Sequence, residues 1–248
     1  GENLIMNKNS ELIKLIKKTN LNLNFKKISF EKLQTGKVNN SFLINDDENK
    51  RKYILRINSL KSNKFNISRK NEITILNAIK EAEIAPKIIY SDPQFKFLIT
   101  EYIDGSIFSK NNFSLNDRVT LKKVIEKYQK IRIGLPRFNY LKHIKEYQKI
   151  ISQKSIIDYE LKKRLEKFYP YLESFQNQNW PPVLCHHDLN PTNIIKTDSG
   201  MKIIDWEFAG YGHPKYDLYS IGLEDKDDFF FDELVNIIND LWHMIDNN

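Results

Sequence analysis

Three oxygen-bearing side chains stand out within residues 186–207. Asp188 is followed five residues later by Asn193, and Asp205 comes 17 residues after Asp188. Between Asn193 and Asp205, two short apolar runs flank the sequence Thr-Asp-Ser-Gly at 197–200, where Gly permits the positive φ that tight turns need. This pattern predicts a β-hairpin, which brings its two ends together. We therefore expect Asp188, Asn193 and Asp205 to lie near one another.

These three side chains suit a hydroxyl nucleophile beside a hard divalent cation. Mg²⁺ takes one or two carboxylates together with substrate phosphates, and it keeps several waters. In phosphoryl transfer, one Asp orients the substrate hydroxyl and accepts its proton, while an Asn and a second Asp hold the metal. Asp and Asn are also common in turns, so for any one of them the alternative is a polar loop around a surface hairpin. The complete spacing favours Asp188 as the catalytic base, with Asn193 and Asp205 as Mg²⁺ ligands.

The motif and the residues after it resemble a known family. His-His-Asp at 186–188 with Asn193, then Ile-Asp-Trp-Glu-Phe-Ala-Gly at 204–210 and Gly-His-Pro-Lys-Tyr-Asp-Leu at 212–218, are similar to the family of choline kinases, ethanolamine kinases and aminoglycoside phosphotransferases. Bacterial choline kinases are the most similar branch. The resemblance implies an α+β, two-lobed, protein-kinase-like fold, with a small antiparallel sheet in the N-terminal lobe. The C-terminal lobe is expected to be mainly helical and to carry the catalytic hairpin.

The same resemblance implies a division of the chain into lobes. Residues 1–100 would form the nucleotide-binding lobe, residues 101–105 a linker, and residues 106–248 the catalytic and substrate-binding lobe. Alternation of apolar and polar residues at 28–33, 40–44 and 52–57 predicts three antiparallel strands in the first lobe.

ATP is the phosphate donor that the resemblance implies. Arg56, on the third predicted strand, takes the place of the cation that meets the α- and β-phosphates, although it also fits a surface strand. Glu72, in a predicted helix at 68–80, takes the place of the acid that orients that cation, with an exposed Glu as the alternative. Glu101 and Ile103 would present backbone groups to adenine. Residues 35–41 take the place of a nucleotide-covering loop, and an ordinary hairpin turn fits them equally well.

The acceptor is predicted to be choline. A quaternary ammonium has no N–H donor, so its binding site needs aromatic faces and nearby carboxylates. The substrate-binding candidates are the aromatic and acidic residues that follow the metal site: Trp206, Glu207, Tyr211, Tyr216 and Glu224, with Tyr219 and Trp242 as further aromatics. Core packing is the alternative for each aromatic. Asp217 is expected to bond the catalytic-loop backbone or His186.

Other functions remain open at this stage. Ethanolamine and thiamine are alternative acceptors, and the acids within 224–233 would suit an aminoglycoside. A nucleotide-binding module without catalysis is the alternative from another class, and the intact Asp188, Asn193 and Asp205 argue against it. The sequence makes no prediction of oligomeric state.

Composition bounds the partners and the compartment. The net charge of +7 divides into −9 over residues 181–248 and +16 over the rest, which suits an anionic nucleotide in one part and cations in the other. The lysines are scattered without a recognised nucleic-acid-binding motif, so we expect no nucleic acid partner. No apolar run reaches the 18 residues of a membrane helix, so we expect no membrane partner. The single Cys185 fits a reducing cytoplasm, and Asp188 explains the motif without a cysteine nucleophile.

Overall fold

The computed structural model describes residues 2–33, 39–59, 65–110, 112–224 and 228–247. Most of the predicted nucleotide-covering loop, and residues 225–227 of the acidic segment, lie outside these ranges. Its elements in chain order are α1 (Glu2–Ile16), β1 (Ile28–Lys32), β2 (Asn40–Asp46), β3 (Arg51–Ile57), α2 (Arg69–Ile79), β4 (Ile88–Ser91), β5 (Phe97–Glu101), β6 (Ser106–Ile107), α3 (Leu115–Gln129), α4 (Tyr140–Ser152), α5 (Tyr159–Asn177), β7 (Val183–Cys185), β8 (Ile194–Thr197), β9 (Gly200–Ile203), β10 (Gly210–Gly212), α6 (Tyr216–Ser220) and α7 (Phe229–Asp246). Short 3₁₀ turns span Lys80–Ala82, Pro191–Asn193 and Trp206–Phe208.

The chain forms two compact units, and the first is built on a five-stranded antiparallel sheet. This unit comprises residues 1–60 and 86–102, and its strand order is β1-β2-β3-β5-β4. Alternate residues of the central strands point to one side, because successive side chains of a strand face opposite ways. Those side chains form a core with α1, made of Leu12, Ile16, Leu23, Phe42, Ile44, Tyr53, Leu55, Phe97 and Ile99. The three strands predicted between residues 28 and 57 are confirmed.

The second unit comprises residues 61–85 and 103–248 and is mainly helical. It therefore includes α2, which the predicted boundary at residue 100 placed in the first lobe. The physical reason lies in two long-range contacts of this segment. Arg69 on α2 forms an ion pair with Glu207, and the Ile84 carbonyl accepts a hydrogen bond from the N–H of Ile203 on β9.

Helix starts in this unit follow the predicted capping chemistry. The Ser68 hydroxyl accepts a hydrogen bond from the Asn71 N–H at the start of α2. At the start of α3, the Ser114 hydroxyl accepts from the Asp117 N–H, and the Asp117 carboxylate accepts from the Ser114 N–H. Such side chains satisfy backbone donors that lack a partner in the first turn.

The predicted hairpin is also confirmed. β8 and β9 pair antiparallel from Ile194 opposite Ile203 to Thr197 opposite Gly200, and Gly200 has φ +140°. β6 pairs with β8 on its other side, and β7 pairs with β10 in a separate two-stranded sheet. Within the described ranges, every helix is too short or too polar to span a bilayer.

Candidate active site

The hairpin brings the two halves of the motif together. The 3₁₀ turn Pro191–Asn193 leads directly into β8, and Asp205 follows β9 by two residues. The Ile204 N–H donates to the Asn193 carbonyl at 2.9 Å, which extends the ladder of the hairpin to its open end. Asn193 and Asp205 are therefore held on neighbouring segments, as the spacing predicted.

Asp188 lies in the loop between β7 and this turn. Its Oδ1 accepts a hydrogen bond from Asn190 Nδ2 at 3.2 Å, and its Oδ2 accepts from Asn193 Nδ2 at 3.1 Å. The pKa of Asp188 is raised to about 6, chiefly by burial and in smaller part by the nearby Glu207 charge, while hydrogen bonds from the two amides oppose the rise. A carboxyl with this pKa is mostly ionised at neutral pH and close to the range preferred for a general base.

The backbone of the loop is fixed by Asp217 on α6. This fully buried carboxylate accepts hydrogen bonds from the His186 N–H at 2.7 Å, the His187 N–H at 3.0 Å and the Tyr128 hydroxyl at 2.7 Å. The prediction that Asp217 bonds the catalytic-loop backbone is confirmed. Burial raises the pKa of Asp217, and the three donors oppose that rise.

His186 joins the Asp188 segment to the Asp205 segment. Its Nδ1 accepts a hydrogen bond from the Asp188 N–H at 3.3 Å, so its Nε2 carries the proton that it donates to the Ile204 carbonyl at 2.9 Å. Burial lowers the pKa of His186 and keeps the ring neutral. The ring therefore acts as a spacer of fixed length between the predicted base and the residue before Asp205.

His187 makes a second fixed connection on the other side of the loop. Its Nδ1 donates to the Phe208 carbonyl at 3.2 Å, and its Nε2 accepts from the Tyr140 hydroxyl at 3.0 Å. Burial lowers the pKa of His187 to about 3. Gly212 is required beside this pair, because a Cβ there would overlap both His187 Nε2 and the Tyr140 hydroxyl.

The predicted metal ligands, Asn193 and Asp205, offer one amide oxygen and one carboxylate. Asn193 is buried and uses its amide nitrogen on Asp188, which directs its Oδ1 away from that carboxylate. Asp205 has φ +65° and ψ +59°, a left-handed conformation that Asp tolerates better than most residues. One carboxylate and one amide oxygen fit Mg²⁺, which completes its shell with water and phosphates. The described residues contain no group of three or more His, Cys, Asp or Glu that could hold a metal.

Arg69 on α2 bridges two buried acids, a contact that the sequence did not reveal. Its Nη1 lies 2.7 Å from Glu207 Oε2 and 3.0 Å from Glu72 Oε2. The side chains of Arg69, Glu72 and Glu207 are 9%, 1% and 3% exposed. Glu72 is thus a buried ion-pair partner and not an exposed helix residue. Its predicted pairing with Arg56, which belongs to the first unit, stays a prediction.

Several aromatic side chains from distant parts of the chain pack together near Asp188 and Glu207. Phe65 stacks on Trp242 at 5.4 Å between ring centroids, and it makes edge contacts with Tyr147 and Phe208, each at 6.4 Å. The pKa of Tyr147 is raised first by burial and then by the charges of Asp188 and Glu207. The Tyr147 hydroxyl is therefore within electrostatic reach of both acids. Trp242 was a sequence candidate, whereas Phe65 and Tyr147 were missed because they precede the motif by more than 35 residues.

Two predicted substrate-binding aromatics have packing roles. Trp206 is 1% exposed, donates its indole N–H to the Ile203 carbonyl at 2.8 Å and meets Tyr128 edge-on. The Tyr211 hydroxyl bonds the backbone of Ile131 and Ile133. These contacts are typical of packed residues, the alternative that the sequence left open, and substrate contact by Trp206 and Tyr211 stays a prediction.

The other predicted binding residues have the following surroundings, and their roles stay predictions. Tyr216 is 2% exposed and stacks on Tyr140, and its pKa is raised by burial and by the charges of Asp217 and Asp188. Glu224 is partly exposed beyond α6. In the first unit, Arg56 donates to Asn58 Oδ1 at 2.9 Å, and Glu101 accepts from the Lys87 N–H at 3.1 Å. Ile103 is buried at the start of the second unit's later segment.

Comparison with known proteins identifies the family to which this chain is similar. A family model described as "Phosphotransferase enzyme family" matches residues 29–244. The protein LicA of Haemophilus influenzae is 25% identical over 129 residues, which are 50% of this chain and 48% of that protein. The chain thus spans about half the length of this curated relative.

Two solved structures share the fold. Choline kinase LicA from Streptococcus pneumoniae superposes with a TM-score of 0.76 at 17% identity, over 96% of this chain and 90% of that one. Plasmodium vivax ethanolamine kinase superposes with a TM-score of 0.72 at 20% identity, over 92% and 78%. These likenesses confirm the predicted α+β, protein-kinase-like fold.

Removing Arg69 is expected to destabilise the protein strongly. An Arg69→Met variant leaves Glu72 and Glu207 buried without this partner, and breaking a buried ion pair costs about 3–5 kcal/mol. Arg164→Met is the matched control, because Arg164 also bridges two acids but is 38% exposed. Its loss is expected to be about 1 kcal/mol or less. Urea unfolding of both variants measures the difference, and equal losses would contradict the assignment of Arg69 as a buried bridge.

The stability of the protein should also depend on pH through His143. Burial against Phe138 and Tyr147 lowers the pKa of His143 to about 4, below the ordinary value of 6.5. The unfolded state therefore binds more protons between pH 6.5 and pH 4, and the contribution of His143 to stability falls as pH drops through that window. Relative to a His143→Gln variant, the parent should lose about 1–2 kcal/mol between pH 7.5 and pH 5. Unfolding both proteins at each pH tests this, and a pH-independent difference would refute it.

Proposed function

The chain belongs to the phosphotransferase enzyme family, and from that premise we propose that it transfers the γ-phosphoryl group of ATP to the hydroxyl of a small cationic amino alcohol, choline in the first place. The observation that carries the proposal is the Asp188 carboxylate, held by two amides at the open end of the hairpin. A buried carboxylate with a pKa of about 6 suits the removal of a hydroxyl proton. The expected cytoplasmic location remains part of the proposal.

Each residue has one task in this reaction. Asp188 orients the acceptor hydroxyl and takes its proton, and Asn193 and Asp205 are the residues that hold Mg²⁺. Held there, Mg²⁺ would supply positive charge that offsets the charge of the phosphates. Arg56 meets the phosphates, and the backbone around Glu101 and Ile103 receives adenine. Catalysis then comes mainly from positioning and charge stabilisation.

The choice of acceptor rests on the aromatic cluster beside the carboxylates. Trp242, which is partly exposed and stacks on the buried Phe65, provides ring surface, while Glu207 provides negative charge close to Asp188. A quaternary ammonium is bound by this combination, since it lacks N–H donors. Tyr216 and Glu224 are the further candidates retained from the sequence. Ethanolamine and thiamine fit the same chemistry, and an aminoglycoside would need a wider acidic surface.

Replacing the base should abolish turnover without abolishing nucleotide binding. Asp188→Asn is expected to lower kcat by about 10²–10⁴-fold, the typical contribution of general acid–base catalysis. Asp198→Asn, the same change at the exposed hairpin turn, serves as the control and should keep full activity. Coupled ADP release and ATP-binding titrations measure the two properties. Near-normal turnover by Asp188→Asn would refute the role of Asp188.

The same assay separates catalysis from simple binding. If the parent protein binds ATP but releases no ADP with choline, ethanolamine, thiamine or aminoglycosides, the nucleotide-binding module is the better description.

The aromatic cluster predicts a specific effect on the acceptor. A Trp242→Leu variant should raise the KM for choline by about 3- to 30-fold, the range of one cation–π contact, and leave the KM for ATP unchanged. Phe229→Leu is the matched control on the same helix, because Phe229 is 72% exposed. Steady-state kinetics with both substrates provides the measurement. An unchanged KM for choline, or a tenfold preference for ethanolamine in kcat/KM, would contradict the role of the aromatic cluster in acceptor binding.

A further inference from the structure

Asn190 has both ends of its side-chain amide engaged within the catalytic loop. Its Oδ1 accepts a hydrogen bond from the Thr192 N–H at 3.0 Å and another from the Thr192 hydroxyl. Its Nδ2 donates to the Asp188 carbonyl at 3.1 Å and to Asp188 Oδ1 at 3.2 Å. A backbone N–H can only donate, so the atom that faces Thr192 must be the amide oxygen. The nitrogen is therefore committed to Asp188.

This arrangement determines the plane of the Asp188 carboxylate. Rotation about the last side-chain bond of Asp is loosely defined by intrinsic torsional preference. Here Asn190 holds Oδ1 and Asn193 holds Oδ2, so each oxygen has its own donor. The two donors belong to opposite ends of the short 3₁₀ turn, since Asn190 caps its start and Asn193 is its last residue. The local sequence Asp-Leu-Asn-Pro-Thr-Asn at 188–193 thus supplies the donors to both carboxylate oxygens.

We propose that Asn190 is a positioning residue for phosphoryl transfer, which orients the Asp188 carboxylate toward the acceptor hydroxyl by holding Oδ1. The inference rests on the proposed function and adds to it a residue that the spacing of Asp188, Asn193 and Asp205 does not reveal. Asn190 acts through Asp188 and makes its contribution by geometry. Misplacement of a reacting group by about 1 Å can cost about 10²-fold in rate.

An Asn190→Asp variant separates positioning from capping. The new carboxylate still accepts from the Thr192 N–H, so the turn keeps its cap, but the donor to Asp188 is replaced by an acceptor. We expect kcat to fall about 10- to 100-fold, with the KM for ATP within about twofold of the parent value. Asn190→Ala removes donor and cap together, so kcat should fall and the melting temperature should fall as well.

Asn139 supplies the matched control. Its side chain caps α4 by accepting from the Lys142 N–H at 2.8 Å, as Asn190 caps its turn. Asn139→Asp should leave both kcat and melting temperature near the parent values. Asn139→Ala should lower only the melting temperature, since it removes a cap and no contact with the base.

The outcomes distinguish this inference from the function on which it rests. A parent protein that transfers phosphate to no acceptor overturns the proposed function, and the positioning role with it. An active parent whose Asn190→Asp variant keeps kcat within about twofold overturns the positioning role alone. A loss of kcat in Asn190→Ala but not in Asn190→Asp overturns it too, because that result assigns Asn190 to capping.

Discussion

The buried carboxylate of Asp217 is the contact on which the geometry of the site depends. Removing an ionised carboxylate from water costs several kcal/mol, and the rise in its pKa expresses that cost. Three donors offset it, and hydrogen bonds to a charged group contribute about 1.5–3 kcal/mol each. Two of these donors are the consecutive backbone N–H groups of His186 and His187. The segment immediately before Asp188 is thereby fixed to α6.

Two neutral imidazoles connect this fixed segment to residues 204–208, the second half of the motif. His186 connects the Asp188 N–H to the Ile204 carbonyl, and His187 connects the Tyr140 hydroxyl to the Phe208 carbonyl. Both rings need one protonated and one unprotonated nitrogen, so protonation would break one bond in each pair. Burial, which lowers both pKa values, keeps these connections intact at neutral pH.

The parts of this site that sequence predicted are those that depend on local chemistry. The hairpin, its glycine and the two serine caps follow from turn and capping preferences over a few residues. The ion pair of Arg69 with Glu207 joins residues 138 positions apart, and Tyr147 on α4 is close enough to Asp188 and Glu207 for their charges to raise its pKa. No local sequence pattern predicts either contact. Trp206 and Tyr211 show the opposite limit of a local pattern. They lie next to the motif in sequence, yet their polar atoms bond backbone groups, so closeness in sequence alone does not distinguish a packed aromatic from one that contacts substrate.

The charges around the motif bear on the proposal of a cationic acceptor. Asp188, Asp205, Glu72 and Glu207 are four acids, and Arg69 is the cation bound to two of them. The histidines next to Asp188 are held neutral by burial and add no positive charge. A divalent metal at Asn193 and Asp205 would offset part of this negative charge. An ammonium on the acceptor would offset the charge that remains, because Arg69 is one cation for the two glutamates. Because opposite charges attract most strongly where water is excluded, this balance of charge supports the proposed amino alcohol over an uncharged alcohol.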